Sequence, residues 1–187
     1  MSTTLITRRA ALLGAGAIAA PFVVTTSFGQ TGPIKLAGLV SLTGSGSPFG
    51  PNSRLAHQAV VDEVNAAGGL LGRKIEYLAE DDQTNAEAGI RAARKLIDVD
   101  KVAAIMSVWA SAVGTAVLPL CWDNKVMMLA ISAADSIAAL PHQGYFVRTQ
   151  PHTELQGKEF GRFALALGAK RPNSLPCNSV CGWVRTK

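Results

Sequence analysis

Apolar and polar positions along the chain fall into short blocks that predict a strand, a loop and a helix in turn. The first apolar block, Ile34–Val40, has the length and β-branched content of a buried parallel strand. Residues 41–52 form a loop of Gly, Ser, Thr and Pro, and Gly68 and Gly69 end the helix that follows. The predicted buried face of that helix consists of Leu55, Ala59, Val60, Val64 and Ala67. The loop should lie at the carboxyl end of the strand, where open α/β sheets bind ligands.

The alternation of strand and helix continues to Gly168. Further strands are predicted at residues 74–79, 102–107, 126–131 and 145–148, and further helices at residues 84–100, 111–117 and 154–167. Thr84 and Glu87 have the spacing of a capping box at the start of the first of these helices, and Pro119 should kink or interrupt the second. The predicted buried face of the first is Ala88, Ala92, Leu96 and Ile97. The pattern predicts an α/β fold in three layers, a parallel sheet with helices on both faces and right-handed crossovers.

Residues 1–29 have the pattern of an export signal, because Arg8 and Arg9 precede an apolar stretch that small and polar residues follow. The Arg pair resembles the twin-arginine motif, and the small residues Ser27 and Gly29 favour cleavage after Gly29. The alternative is a membrane anchor, but the apolar run is short of the roughly 20 residues that a span needs, and Pro21 interrupts it. We therefore expect a cleaved signal peptide and a mature periplasmic protein that does not span the membrane.

The charge and the cysteines exclude several classes of function. The formal net charge is +5, and setting Arg8 and Arg9 apart from the 18 basic residues leaves 16 against 13 acidic ones, without a basic cluster. Cys121 lies in an apolar helical stretch and is expected in the core, while Cys177 and Cys181 have no nearby His to complete a zinc site. We expect no nucleic-acid partner, no metal and no cofactor.

Three segments of the chain are distinctive in their order and spacing. They are Thr43-Gly44 followed by Phe49-Gly50, the helix end VNAAGGLLGRKIE, and EDDQTNAE at residues 80–87. Together they resemble the periplasmic solute-binding proteins of ABC transporters, of the leucine/isoleucine/valine-binding type, over about residues 34–170. The resemblance implies the first lobe of a type 1 periplasmic binding fold, whose two lobes close over a small amino acid or carboxylate. It also implies delivery to an ABC permease with its ATPase subunits, without catalysis.

The same resemblance implies a division of the chain. Residues 30–148 would be the first lobe of the ligand-binding domain, and residues 149–170 the crossover helix toward a second lobe. Residues 171–187 contain two prolines and two cysteines and no apolar strand where the family begins that lobe. We expect this segment to be an aberrant tail from a frameshift or a wrongly assigned gene end, which the other reading frames of the neighbouring DNA would test. A truncated product without a stable function is the alternative to a working binding protein.

In the resembled family, first-lobe loops hold the ligand's carboxylate and ammonium groups. Ser111, with Ala110 before it, follows a strand and precedes a helix, as the family's carboxylate-binding serine does. A helix N-terminus favours an anion, although Ser111 has the alternative role of an N-cap for its own helix. The second contact loop would comprise Ser132, Ala133, Ala134, Asp135 and Ser136. Ala134 stands where the family has a Thr, and Asp135 either binds the ligand's ammonium group or caps the next helix.

Two aromatic residues are candidates for the wall of the ligand pocket. Phe49 matches a family aromatic that lines the side-chain pocket, and Trp109 stands where the family usually has a smaller residue. Such a wall suits an apolar or aromatic ligand, and packing within the lobe is the alternative for Trp109. Thr43 and Ser47 are weaker candidates. The acidic residues 80–82 are expected to solvate a strand end and cap backbone rather than bind metal.

The competing class is a nucleotide-dependent enzyme, because a strand, a Gly-rich loop and a helix also describe a dinucleotide site. After Gly44 and Gly46, however, Gly50 comes one residue too late for G-x-G-x-x-G, and Pro48 disrupts the turn. The sequence contains neither G-x-x-x-x-G-K-[ST] nor G-x-S-x-G, and its three histidines are scattered. We therefore expect no enzymatic activity.

Overall fold

Five parallel strands form one sheet in the computed structural model, which describes residues 32–170. The strands are β1 (Ile34–Val40), β2 (Ile75–Asp81), β3 (Ala104–Val108), β4 (Met127–Ala130) and β5 (Phe146–Arg148). Their order across the sheet is β2-β1-β3-β4-β5, and each neighbouring pair is parallel. The predicted α/β fold with a parallel sheet is confirmed.

Some sequence predictions lie outside the described residues. These are the export signal at residues 1–29, the tail at residues 171–187, and the pair Cys177 and Cys181. Within residues 32–170, no helix is both long and apolar enough to cross a membrane.

Five α-helices alternate with these strands or follow them in the described part of the chain. They are α1 (Gly50–Ala66), α2 (Ala86–Arg94), α3 (Ser111–Asp123), α4 (Asp135–Ala138) and α5 (Thr153–Ala166). A 3-10 turn, Gly44–Gly46, precedes α1, and α2 continues as a π-helical segment, Lys95–Val99. The chain steps from β1 to β2 and then back across β1 to β3, so right-handed crossovers place α1 on one face of the sheet and α2 on the other.

The core lies between the sheet and the helix pair α2 and α3. Leu39, Ile105 and Met128 on three adjacent strands are fully buried there, together with Leu118 on α3. Cys121 is also fully buried in this cluster, as predicted. The predicted buried face of α2 is likewise confirmed, because its members Ala88, Ala92, Leu96 and Ile97 are all buried.

The predicted buried face of α1 is wrong. Leu55 is 67% exposed and Val60 is 59% exposed, whereas Val61 is only 5% exposed. His57 is half-buried on the same side as Val61, and its Nδ1 lies 3.2 Å from the hydroxyl of Tyr77 on β2. Histidine is a polar residue, so the predicted buried face of α1 did not include His57.

Other differences concern the ends of helices. The helix α1 begins at Gly50, inside the predicted loop, because Pro51 is well suited to the first turn of a helix. The cap of α2 is Asn85 rather than Thr84, and its side chain accepts hydrogen bonds from the N–H groups of Glu87 and Ala88. Thr84 instead has a left-handed backbone, with φ of 55°.

The helix α3 runs through Pro119 to Asp123, past the predicted end at Val117, so Pro119 does not interrupt it. A proline inside a helix removes one backbone hydrogen bond and crowds the preceding turn. Here the flanking residues Leu118 and Cys121 are fully buried, and this packing offsets the loss.

Candidate functional site

A concave surface opens at the carboxyl edge of the sheet, between the loops that follow β1, β3 and β4. Its lining includes Ser41 after β1, Phe49 at the start of α1, Ser107 and Trp109 at the end of β3, and Ile131 after β4. The surface is shallow: it encloses about 10 Å³, roughly the room for one water molecule, and the rest is open to solvent. We call this surface the strand-end cleft. It lies where open α/β sheets place their ligands.

Two aromatic side chains stand against each other in the strand-end cleft. The ring centroids of Phe49 and Trp109 lie 5.3 Å apart and the ring planes make an angle of 34°. Phe49 is 57% exposed in spite of this contact. The structure therefore brings together the two aromatic residues that the sequence analysis selected, which are 60 residues apart in the sequence.

Ser107 is a member of the cleft that the sequence analysis missed. Its φ is 66°, in the left-handed region, and it is the extra residue of an irregularity in the pairing of β3 with β4, between Met106 and Val108. Such a conformation in a non-glycine residue of a strand costs free energy of about 1–3 kcal/mol and is concentrated at functional sites. The only sequence signal was the serine itself at the end of an apolar strand.

Ser111 is the first residue of α3 rather than its N-cap. The N-cap position belongs to Ala110, whose side chain cannot cap the helix. Ser111 is 3% exposed, and its carbonyl oxygen accepts a hydrogen bond from the hydroxyl of Thr115 at 2.8 Å. The side chain of Ala110 makes no capping hydrogen bond to the first turn of α3, which begins at the edge of the sheet where the strand-end cleft lies.

Ser132 has a role in holding the loops together. Its hydroxyl donates to the carbonyl oxygen of Val108 at 2.8 Å and lies 3.2 Å from that of Trp109. Ser132 is fully buried, and Gly114 on α3 makes room for it, since a Cβ at Gly114 would lie 3.1 Å from its Oγ. Ser132 therefore fixes the exit of β3, and with it Trp109.

The carbonyl groups of Ala133 and Ala134 bind the end of β5 and the start of α5. Arg148 Nη1 donates to the carbonyl oxygen of Ala134 at 3.1 Å, and the hydroxyl of Thr153 donates to that of Ala133 at 2.8 Å. The second contact loop is in this way tied to the start of α5.

Asp135 faces the same segment rather than the strand-end cleft. One carboxylate oxygen lies 3.1 Å from His152 Nδ1 and 3.8 Å from Arg148 Nη1, and the other accepts from the N–H of Glu154 at 3.3 Å. Asp135 was expected either to bind the ligand's ammonium group or to cap the next helix. Its contact with the N–H of Glu154 resembles helix capping, but the helix is α5 rather than α4.

Asp135, His152 and Glu154 also present ligand atoms within 4.8 Å of one another, a spacing that could hold a metal ion. Glu154 is paired with Lys158 at 2.6 Å, and Arg148 adds a further cation beside Asp135. These positive charges oppose a metal ion, so the cluster is better described as a surface ion-pair network.

Two adjacent carboxylates shape the loop before α1. Asp81 accepts hydrogen bonds from the N–H groups of Leu42, Thr43 and Gln83 and from the Thr43 hydroxyl. Partial burial by itself raises the pKa of Asp81, but these hydrogen bonds outweigh burial and hold the pKa below its usual value. Asp81 therefore caps backbone, as was predicted for this acidic run.

Asp82 does not solvate the strand end, contrary to the prediction for residues 80–82. Its side chain is fully buried, and one oxygen accepts from the N–H of Thr84 at 2.7 Å. The other oxygen lies close to the hydroxyl of Ser41, but the two atoms do not meet full hydrogen-bond geometry among the described residues. Burial raises the pKa of Asp82 above its usual value, although the nearby Ser41 hydroxyl lowers it. The sequence pattern missed this because acidic residues are almost never fully buried.

The sequence of the chain is similar to those of known proteins. The sequence model of a family described as periplasmic binding protein matches residues 33–175. The chain is 31% identical over 127 residues to Leu/Ile/Val-binding protein homolog 8 of Brucella abortus, an alignment that covers 67% of this chain and 31% of that protein.

Solved structures show the same fold. The leucine-binding protein LivK of Thermotoga maritima superimposes with a TM-score of 0.62 and 26% identity, over 72% of this chain and 38% of that one. The substrate-binding protein LivJ of Streptococcus pneumoniae, solved with isoleucine, gives a TM-score of 0.66 at 23% identity, over 71% of this chain and 38% of that one. The chain therefore spans less than half the length of these relatives.

Proposed function

The chain belongs to the periplasmic binding protein family, and from this premise we propose that it captures a branched-chain amino acid or a similar small carboxylate in the periplasm. In this proposal residues 30–148 are the first lobe, residues 149–170 lead toward a second lobe, and the ligand passes to an ABC permease with its ATPase subunits. The curated relatives that the chain matches are described as Leu/Ile/Val-binding proteins, which supports this ligand class.

One observation carries the proposal. The first turn of α3 begins two residues after Trp109, at the same edge of the sheet as the cleft serines Ser41 and Ser107. Backbone N–H groups at a helix N-terminus and serine hydroxyls are donors, and the helix dipole favours negative charge there. This arrangement suits the carboxylate group of a small ligand.

Ligand binding is tested by the thermal unfolding midpoint of the purified chain, followed by circular dichroism with and without L-leucine. A ligand that binds only the folded state at 100 times its Kd adds about 2.7 kcal/mol of stability, which raises the midpoint measurably. NAD and ATP serve as negative controls for the enzyme class. A midpoint that rises with a nucleotide and with no small carboxylate contradicts the proposal.

The place of binding is tested with Ser111→Ala. We expect at least tenfold weaker binding, because a donor at the start of α3 is lost, while Ser111→Thr keeps a hydroxyl and retains part of the affinity. Ser45→Ala is the matched control, since Ser45 is an exposed serine in the loop before α1. Equal affinity of Ser111→Ala and Ser45→Ala would place the ligand away from α3.

A further inference from the structure

We propose that Ser107 contacts the ligand directly, and that its strained backbone is what places its side chain in the strand-end cleft, at a cost in stability. This inference rests on the proposed function and adds a binding residue to the same site. It depends on three features of Ser107: the β-bulge that holds it, its left-handed backbone, and its hydroxyl group.

The bulge is the first feature. Successive side chains of a strand point to opposite faces of the sheet, so residues three positions apart should face opposite sides. Ile105 and Val108 are three positions apart in β3, yet both are fully buried in the core between the sheet and the helices α2 and α3. The pairing with β4 explains this, because Met106 and Val108 pair with adjacent residues of β4 and leave Ser107 as an extra residue.

The bulge changes the surroundings of Ser107. In a regular strand Ser107 would share the face of Ile105, and its hydroxyl would lie in the apolar core. With the extra residue, Val108 takes the core position, and Ser107 is among the residues that line the strand-end cleft. Bulges are over-represented beside active sites, where they redirect a side chain in this way.

The backbone conformation is the second feature. Ser107 has φ of 66°, and among residues 32–170 it is the one non-glycine residue with positive φ that lies within a strand. The others, such as Lys125 with φ of 57°, lie in turns or loops. A glycine would adopt this backbone with less strain. A serine here therefore lowers stability, which is typical of residues whose side chain serves a site.

The hydroxyl group is the third feature. The hydroxyl of Ser132, after β4, is occupied because it donates to the carbonyl oxygen of Val108. Within residues 32–170, no such contact engages the hydroxyl of Ser107. A hydroxyl can donate one hydrogen bond and accept two, so it can bind either a carboxylate or an ammonium group. Ser107 is 8% exposed, and a ligand contact there would be largely shielded from water, which strengthens a hydrogen bond.

Two substitutions at Ser107 separate binding from stability. Ser107→Ala removes the hydroxyl and keeps the strain, so affinity should fall about fivefold or more while the melting temperature stays within about 1 °C of the wild type. Ser107→Gly removes both, so affinity should fall by the same factor while the melting temperature rises by about 2–4 °C. Isothermal titration calorimetry with L-leucine, L-isoleucine and L-valine measures the affinity on the purified chain, and circular dichroism follows its thermal unfolding.

Two control variants lie outside the strand-end cleft. Lys125→Gly relieves the same left-handed conformation at an exposed residue just before β4, at the amino end of that strand. Its melting temperature should rise like that of Ser107→Gly, and its affinity for the three amino acids should equal that of the wild type. Ser45→Ala removes an exposed hydroxyl in the loop before α1 and should change neither quantity.

Each outcome either supports the inference or overturns it. Weaker binding together with a higher melting temperature in Ser107→Gly supports it. If Ser107→Ala binds as tightly as the wild type, the bulge serves only to keep the hydroxyl out of the core; the inference then fails and the proposed function stands. A melting temperature of Ser107→Gly that does not exceed that of the wild type also overturns it, because the serine is then not strained. If the wild type melts cooperatively and binds none of the three amino acids, the proposed function fails as well.

Discussion

The substitution Asp82→Asn is expected to stabilise the protein at neutral pH. Asp82 is fully buried, and one of its oxygens lies near Ser41 without a hydrogen-bond partner in the described structure. A buried polar group without a partner costs about 1–3 kcal/mol, and more if it is charged. An amide group in its place carries no charge and can donate to the Ser41 hydroxyl. We therefore expect the free energy of unfolding to rise by about 1–2 kcal/mol at pH 7.

The pH dependence of this gain follows from the raised pKa of Asp82. A carboxyl group with a raised pKa in the folded state contributes most to stability below its unfolded pKa, about 3.9. This contribution is lost as the pH rises through the folded pKa. The gain from Asp82→Asn should therefore be largest at pH 7 and shrink as the pH approaches 4.

Asp81, the neighbouring residue, supplies a control in which the substitution should lower the free energy of unfolding. The pKa of Asp81 is lowered, so its contribution to stability is present above the unfolded pKa and is lost as the pH falls through the folded pKa. Asp81→Asn should lower the free energy of unfolding at pH 7 by about 1 kcal/mol, a value discounted because the group is partly exposed.

Urea unfolding at pH 7 and pH 4, followed by circular dichroism, measures the free energy of unfolding of both variants. If Asp82→Asn lowers the free energy of unfolding by 1 kcal/mol or more at pH 7, the carboxylate is held in its charged form by a partner. The assignment of Asp82 as a buried group without full hydrogen bonding would then be wrong.

Three further predictions concern other parts of the described chain. Gly50→Ala should cost about 3 kcal/mol in urea unfolding, because the new Cβ would lie 2.0 Å from the backbone oxygen of Ser41. Burial raises the pKa of Cys121 to about 12, so peptide mapping after iodoacetamide treatment at pH 8 should find Cys121 unmodified in the folded protein and alkylated in urea. Arg148→Met should lower the free energy of unfolding by about 1–3 kcal/mol, because Arg148 holds carbonyl groups of the second contact loop.

Matched control variants separate these effects from a non-specific loss of stability. Gly161 has open space around the position of a Cβ, so Gly161→Ala in the middle of α5 should be neutral or stabilising. The side chain of Arg162 is 78% exposed, and Arg162→Met should change stability by less than about 0.5 kcal/mol. Alkylation of Cys121 in the folded protein at the rate seen in urea would contradict its placement in the core.

Much of the fold was predictable because strand and helix periodicities reflect burial on one or two faces. The run Ile34–Val40 is a strand with the predicted bounds, and the buried face of α2 was read correctly from Ala88, Ala92, Leu96 and Ile97. The prediction for α1 failed because its apolar residues allow two adjacent faces. In the structure the buried side of α1 contains Val61 and His57, and His57 contacts Tyr77 on β2.

The candidate site, like the fold, was predictable from the sequence only in part. The sequence by itself determined that polar loops follow apolar strands, and that Phe49, Trp109 and Ser111 belong to such loops or to the helix starts beside them, because these assignments depend only on neighbours along the chain. Only the tertiary structure decided that Phe49 meets Trp109, that Asp82 is buried, that Ser107 takes a strained backbone, and that Asp135 turns toward Arg148 and His152. These facts depend on which strands lie side by side. Since the order β2-β1-β3-β4-β5 differs from the order along the chain, residues far apart in sequence become neighbours only when the sheet assembles.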